Sequence, residues 1–353
     1  MTDLLQAVPV RQNEPKPLIV LTGPTAVGKT KLSLALAKMV DGEIISADSM
    51  QVYRHMDIGS AKIMPEEMQG IRHYLIDELM PDEEFNVVKF KTYAKRYMQE
   101  IYNRGRIPIL TGGTGFYIQA LLYDIDFDGQ ILSDEEQTKE RIAQMQLAEV
   151  LHLQNGIEHS ELRIQLEQFA EINGGEELHR KLAGIDPRAA QEIHPNNCKR
   201  VIRALEFYLQ TGQKISEHNE KERKKTSPYN SIYFVLNDDR QVLYERINRR
   251  VDQMVERGLV EEVRRLKDMG YTKDMVSMQG LGYKEILDVF DGVYPLAEAV
   301  ERIKRDTRHF AKRQITWFKR ERDVIWLNKQ DYENEDQILM RMSKLLKEKG
   351  IIK

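Results

Sequence analysis

Gly23-Pro24-Thr25-Ala26-Val27-Gly28-Lys29-Thr30 is the stretch of this 353-residue chain whose residue types and spacing can do chemistry on their own. It follows the apolar run Leu18-Ile19-Val20-Leu21-Thr22. It leads into residues 31–39, where Leu32, Leu34, Ala35 and Leu36 keep a helical period. That is the strand–loop–helix setting of a phosphate-binding loop. Glycine allows the tight turn that converges successive backbone N–H groups on phosphate oxygens, and the positive end of the following helix adds to the attraction. In this pattern Lys29 reaches the outer phosphates and Thr30 holds Mg²⁺. The pattern does not say which phosphorylated ligand is bound.

A second candidate lies at the end of the next short apolar run, Glu43-Ile44-Ile45-Ser46, which stops at Ala47-Asp48-Ser49. In an open α/β sheet ligands bind beyond the carboxyl ends of the strands, so Asp48 should face the same crevice as the phosphate loop. Two readings stand side by side: a reactive carboxylate, or the N-cap of a helix starting at Met50. Residues 49–62 read as a polar, substrate-facing loop. Gly112-Gly113-Thr114-Gly115 ends another strand (107–111), either to let a ligand approach the backbone or to turn the chain into a helix. Arg246, Arg249 and Arg250 follow a strand at 231–236, where an arginine can close over phosphates or simply form surface ion pairs. A further glycine-punctuated loop is Gln279-Gly280-Leu281-Gly282-Tyr283-Lys284.

The elements that must position these residues alternate β and α through residue 123, which predicts a parallel, doubly wound α/β sheet. From 124 to 184 strands vanish, and charged helical segments are expected at 134–153 and 158–169. The predicted organisation is a core at 1–123, an inserted helical subdomain at 124–184 and completion of the core at 185–353. A helix at 198–210 carries Val201, Ile202, Leu205, Phe207 and Leu209 toward a core and Lys199, Arg200 and Arg203 away from it. A charged loop is expected at 217–225. A helix at 301–322 sets Ile303, Phe310 and Trp317 on one face and Arg305, His309, Lys312, Arg313, Lys319 and Arg320 elsewhere. This basic stripe with interleaved aromatics suits a phosphodiester backbone.

The bulk numbers bound the class. With 41% apolar and 31% charged residues, disorder is excluded as the whole answer, and a net charge of −3 excludes a bulk polycation. A single cysteine, Cys198, leaves no internal disulfide and no Cys-based zinc site. The first residues have no apolar signal region and no run nears 18 apolar residues, so a cytoplasmic protein with no membrane span is expected.

Together these motifs resemble one family, the bacterial tRNA dimethylallyltransferases, also called tRNA isopentenyltransferases. The matching segments are 23–30, Ser46 to Arg54, Met56 to Lys62, His73 to Asp77, Gly112 to Gly115, His194-Pro195-Asn196 with Lys199 to Glu206, and Lys312 to Trp317. The resemblance implies a P-loop NTPase-like fold. It also implies Mg²⁺-dependent transfer of a dimethylallyl group from dimethylallyl diphosphate to N6 of the adenosine just 3′ of the anticodon. On that basis Asp48 is the general base and Gly23 to Thr30 cradle the diphosphate. Thr25 belongs to the catalytic set, and Arg246 neutralises the leaving group. The tRNA would be faced by Asp48, Ser49, Met50, Gln51, Thr114, Lys199, Arg200, Val201, Ile202, Arg203, the 279–284 loop, Lys312, Arg313, Gln314, Thr316, Trp317 and Lys319. Thr138 and Lys139 are candidate contacts in the insertion, and a monomer is expected. The rivals are a small-molecule kinase using ATP on the same loop and a nucleotide-gated RNA-binding module without chemistry.

Overall fold

In the computed structural model, which describes residues 14–127, 144–148, 151 and 159–353, β1 (Pro17–Thr22) is buried at every position. It runs through the glycine-rich loop into α1 (Lys29–Val40), then β2 (Gly42–Ala47), β3 (His73–Tyr74), α2 (Val87–Asn103), β4 (Ile107–Gly112) and α3 (Gly115–Leu122). Among the described residues, helical residues 144–148 are followed by α4 (His159–Asn173), α5 (Gly175–Ile185), α6 (Pro187–Glu192), α7 (Cys198–Thr211) and α8 (Ile215–Lys224). The chain then returns to β5 (Asn230–Asn237), α9 (Arg240–Glu256), α10 (Leu259–Asp268), α11 (Tyr283–Phe290), α12 (Leu296–Phe318), β6 (Val324–Asn328) and α13 (Glu335–Glu348). No helix of the described residues is long and apolar enough to cross a membrane.

All six strands lie parallel in the order β3-β2-β4-β1-β5-β6, the doubly wound α/β arrangement expected. Helices cover both faces of such a sheet, which is why β1 and β2 read as unbroken apolar runs rather than alternating ones. On one face Ile19, Leu21, Ile109 and Phe234 pack with Leu32 and Leu36 of α1 and with Ile338, Met342 and Leu346 of α13. The register sets the site. Thr22, Gly112 and Ala47 are level across β1, β4 and β2, so Gly23, Gly113 and Asp48 leave the sheet side by side. With strands about 4.8 Å apart, the phosphate loop and Asp48 start roughly 10 Å from each other.

The chain forms two compact units: one up to Asp124 and from Ser227 on, the other Ile125–Thr226. The helical unit therefore extends beyond residue 184, where the sequence suggested its end. The reason is that α7 turns Val201, Ile202, Leu205 and Tyr208 into the same core as Leu166, Leu178 and Leu182, so 185–226 belongs to this unit and not to the sheet. Residues 217–225, expected as a loop, are largely α8. Its start is fixed by Asp186, whose carboxylate accepts from Ser216 N and Ser216 Oγ, and its end by the Lys224–Glu220 pair. Of the helix expected at 134–153 only residues 144–148 and 151 are described; the rest, with Thr138 and Lys139, lies outside the described residues.

Candidate active site

The phosphate loop is shaped by close approach. A Cβ on Gly23 would sit 2.2 Å from the carbonyl oxygen of Leu236, so only glycine lets the chain leave β1 beside β5. Ala26 and Gly28 take positive φ (63° and 101°), which curls the backbone toward the start of α1. Lys29 Nζ donates to the loop's own carbonyls, Gly23 O at 2.9 Å and Pro24 O at 2.8 Å. Its pKa is lowered to about 7, first by enclosure in the cleft and then by the Arg250 guanidinium, with Asp48 opposing both. Val27 is turned into the core, whereas Thr25, Ala26, Gly28, Lys29 and Thr30 line a cleft of about 850 Å³.

Asp48 lines the same cleft. Its Oδ1 accepts from Met50 N at 2.8 Å and Gln51 N at 3.4 Å, but residues 49–52 form a turn and no helix starts there. The carboxylate closes a local turn of the kind Asp favours. Among the described residues its other oxygen has no hydrogen-bond partner, so capping and chemistry are compatible here. Gln51, also in the lining, is held by Ser46 Oγ and by its own donation to Ala61 O.

The arginines separate by environment. Along α9 the spacing of Arg246, Arg250 and Gln253 puts all three on the cleft side, with Arg249 and Arg257 beside them. Arg246 is paired with Asp238 at 2.6 Å, whereas Arg250 reaches Thr25 Oγ1 at 3.4 Å. Desolvation lowers the Arg250 pKa and Asp48 raises it. The guanidinium that touches the phosphate loop is thus one helical turn beyond the expected Arg246.

Gln314 is the main departure from the sequence reading. Expected to face the tRNA, it lines the cleft but is only 6% exposed, and both ends of its amide are used within the protein. Its Oε1 accepts from Thr25 N at 2.9 Å, and its Nε2 donates to Gly113 O at 2.9 Å. It clasps the phosphate loop to the end of β4. The glycines of that end serve the same packing: a Cβ on Gly113 would meet Gln314 Nε2 at 2.2 Å, and one on Gly115 would meet the Trp317 ring at 2.3 Å. Space was needed there for protein as well as for a ligand, since Gly112 and Gly113 still line the cleft.

Other expected surface residues are also corrected by burial. Tyr283 is fully buried, its hydroxyl donating to Glu262 Oε1 at 2.8 Å, and Gly282 is buried beside it. Gln279 is exposed, with Gly280, Leu281 and Lys284 partly so. In the helical unit Val201 and Ile202 are core residues, while Lys199 and Arg200 are exposed and Arg203 pairs with Glu206. Ser49, Met50 and Thr114 are half-buried. On α12 the basic stripe is divided. Arg302, Lys304 and Arg305 are neutralised by Glu298, Asp252 and Asp306. Lys312, Arg313, Lys319 and Arg320 are exposed, and among the described residues no acid pairs with them. Trp317 is half-buried and Thr316 is exposed.

Thr30 is exposed at the mouth of the loop, and Thr30 and Asp48 offer the cleft hard oxygen donors. Among the described residues no cluster of three or more His, Cys, Asp or Glu side chains is placed to hold a metal alone. This donor set fits Mg²⁺, which keeps waters and shares substrate phosphates, better than a metal needing a full protein cage.

Residues 51–321 match the IPP transferase family model. The chain is 57% identical over 338 residues to the tRNA dimethylallyltransferase of Lachnoclostridium phytofermentans, covering 96% of this chain and all of that one. It is 48% identical to that of Acetivibrio thermocellus, covering 95% and 98%. Among solved structures it is similar to the tRNA isopentenylpyrophosphate transferase of Bacillus halodurans, at TM-score 0.67 and 44% identity over 96% and 97% of the two chains. A eukaryotic dimethylallyltransferase acting on tRNA superposes at TM-score 0.73 with 27% identity, covering 94% and 80%. With a family model spanning well over half its length and relatives this similar end to end, the chain belongs to the tRNA dimethylallyltransferase family.

Proposed function

We propose that this protein transfers the dimethylallyl group of dimethylallyl diphosphate to N6 of the adenosine 3′-adjacent to the anticodon in tRNA, releasing diphosphate. One observation carries the reading beyond family membership. The phosphate loop and the Asp48 carboxylate open into one cleft from level strand ends, and Arg250, in the same lining, reaches Thr25 of the loop. A loop built for linked phosphates fits a diphosphate leaving group, and stabilising the charge that develops on it is where most of the catalysis should arise.

In the reaction the N6 nitrogen forms a bond to C1 of the prenyl group while the C1–oxygen bond breaks and its electron pair leaves with the diphosphate. The amine proton passes to Asp48, positioned by the turn it caps. The adenine must be flipped from its stack to reach the cleft. Backbone N–H groups of the loop, Lys29 and Thr25 hold the diphosphate, and Arg250 with Arg246 neutralise it as it departs. Lys29 must first let go of Gly23 O and Pro24 O. Thr30 is the residue that would hold Mg²⁺, which supplies further charge neutralisation when bound. The tRNA backbone is met by the exposed Lys312 and Arg313 of α12 and by Lys199 and Arg200 of α7. One chain supplies every residue of the cleft, so a monomer suffices, working in the cytoplasm where tRNA is found.

Mass analysis of nucleosides from tRNA incubated with protein, dimethylallyl diphosphate and Mg²⁺ tests this. A dimethylallyl adduct on adenosine next to the anticodon is expected, and its absence refutes the reading. Transfer of label from γ-labelled ATP to a small acceptor would instead establish a kinase.

A further inference from the structure

Glu262 is a charged residue that the reaction above does not use, yet it is 1% exposed. Its carboxylate gathers four donors. Oε2 accepts from Asp57 N at 3.0 Å and Ile58 N at 2.8 Å, and Oε1 accepts from Gly59 N at 3.0 Å and Tyr283 OH at 2.8 Å. Among the described residues no cation pairs with it, so the cost of burying the charge is met by charge-assisted hydrogen bonds to one loop. Tyr283 OH in turn accepts from Ser60 N at 3.1 Å, and a Cβ on Gly59 would lie 2.5 Å from the Tyr283 ring. The loop has no regular secondary structure, and Ala61 sits at φ 50°, a strained conformation that persists only where surroundings hold it.

This loop is a wall of the cleft. Ile58, Ala61 and Ile63 give it apolar lining, with Asp57, Ser60 and Lys62 of the same stretch beside them, in the cleft that holds Thr25 and Asp48. Once the diphosphate is on the phosphate loop and C1 faces Asp48, the uncharged tail must lie against apolar lining of this kind. We propose that Glu262, with Tyr283, is a positioning residue that fixes the 57–61 wall and thereby limits the cleft to a short, five-carbon prenyl tail. The inference rests on the transferase reading above and goes beyond it by assigning the tail-length limit. Rigid walls discriminate by size because a well-packed cavity cannot take extra methylenes without moving its backbone.

The test is competition between dimethylallyl and geranyl diphosphates for transfer to tRNA, read as the ratio of the two kcat/KM values. That ratio is independent of how much protein is folded. Glu262→Gln sets an NH₂ group against backbone N–H donors and should loosen the wall. The geranyl-to-dimethylallyl ratio should rise by roughly tenfold or more, the scale on which one methylene is discriminated. Tyr283→Phe removes one donor to Glu262 and the acceptor of Ser60 N while keeping the ring. It should shift the ratio the same way by a smaller factor, and it carries the test if Glu262→Gln does not fold. An unchanged ratio in folded Tyr283→Phe, or both rates falling together in folded Glu262→Gln, overturns the proposal and leaves the clasp a structural support only. Failure of the wild-type protein to transfer from either diphosphate would overturn the transferase reading itself, a result distinct from an unchanged ratio.

Discussion

Replacing Asp48 by Asn separates the two jobs that residue holds. Oδ1 takes the N–H groups of Met50 and Gln51, and an asparagine with its Oδ1 in that place keeps both bonds. Losing such a cap outright costs about 1 kcal/mol, and Asn ranks with Asp as a capping residue, so thermal stability should barely change. What Asn cannot do is take a proton from an amine. Transfer should fall by roughly 10²- to 10⁴-fold, which is about 3–5 kcal/mol on the barrier. Binding should move the other way. Asp48 is the anion that opposes the lowered pKa of Lys29 and of Arg250. Without it the potential over the phosphate loop is more positive, and at a pH low enough to keep Lys29 protonated dimethylallyl diphosphate should bind as tightly or more tightly. The assay is single-turnover transfer with both substrates saturating, so that product release cannot hide a slow chemical step, alongside diphosphate affinity without tRNA. A rate above about a third of wild type, far short of the loss of a base, would refute the assignment and send the proton to water or to the departing diphosphate. Weakened diphosphate binding would refute the electrostatic account of the cleft.

Lys29 should make substrate binding depend on pH. Its pKa is lowered to about 7 in the free protein, and a bound diphosphate raises it, so binding takes up a proton once the pH exceeds that value. Affinity should be flat below that value and fall by up to about tenfold per pH unit above it, and Lys29→Arg, which does not titrate there, should abolish the slope. A wild-type Kd that is constant to about pH 8.5, still well below the ordinary lysine range, would show that the ammonium stays charged throughout. Neutralising Lys312 and Arg313 should flatten the log–log dependence of tRNA affinity on salt by roughly one unit for each phosphate no longer engaged, and an unchanged slope would remove α12 from the tRNA surface.

The phosphate loop, the parallel sheet and Asp48 at a strand end were legible because their signals are local: eight contiguous residues, short apolar runs and one acid at a turn. Long-range pairing was not. Glu262 lies in α10, Leu-Val-Glu-Glu-Val-Arg-Arg-Leu-Lys-Asp, where periodicity makes it an ordinary polar position, and its backbone partners Asp57, Ile58 and Gly59 are more than 200 residues earlier. Gln314 sits in a basic, aromatic stretch that suggested a nucleic-acid surface, and the stripe breaks there because the side chain points to Thr25, 289 residues away. Glycines at 112, 113 and 115 announced a need for space but not its occupant, which proved to be Ala47, Gln314 and Trp317. The unit boundary failed for a related reason: the apolar stripe of α7 says that a core exists, not which of two cores receives it.

These long-range pairings share one task. The level strand ends bring Gly23, Gly113 and Asp48 out of the sheet together, and side chains from distant helices then tie down the loops they start. Gln314 pins the phosphate loop to β4 from α12, and Glu262 pins the facing loop from α10. Gln314 is uncharged and Glu262 spends its charge on the loop it holds, so both fix walls without competing for the anion. Three of the charges left to act on substrate, Lys29, Arg250 and Asp48, are coupled: Arg250 and Asp48 act on Lys29, and Asp48 acts on Arg250. A diphosphate arriving among the cations and an amine arriving at Asp48 therefore alter each other's sites. In Asp48→Asn the carboxylate that sustains the protonation of Lys29 is gone, so the pH at which diphosphate affinity begins to fall should move down from its wild-type position. Titrating the Kd of both proteins against pH checks this, and an onset that stays in place, or moves up, would show that Asp48 and Lys29 do not sense each other across the cleft.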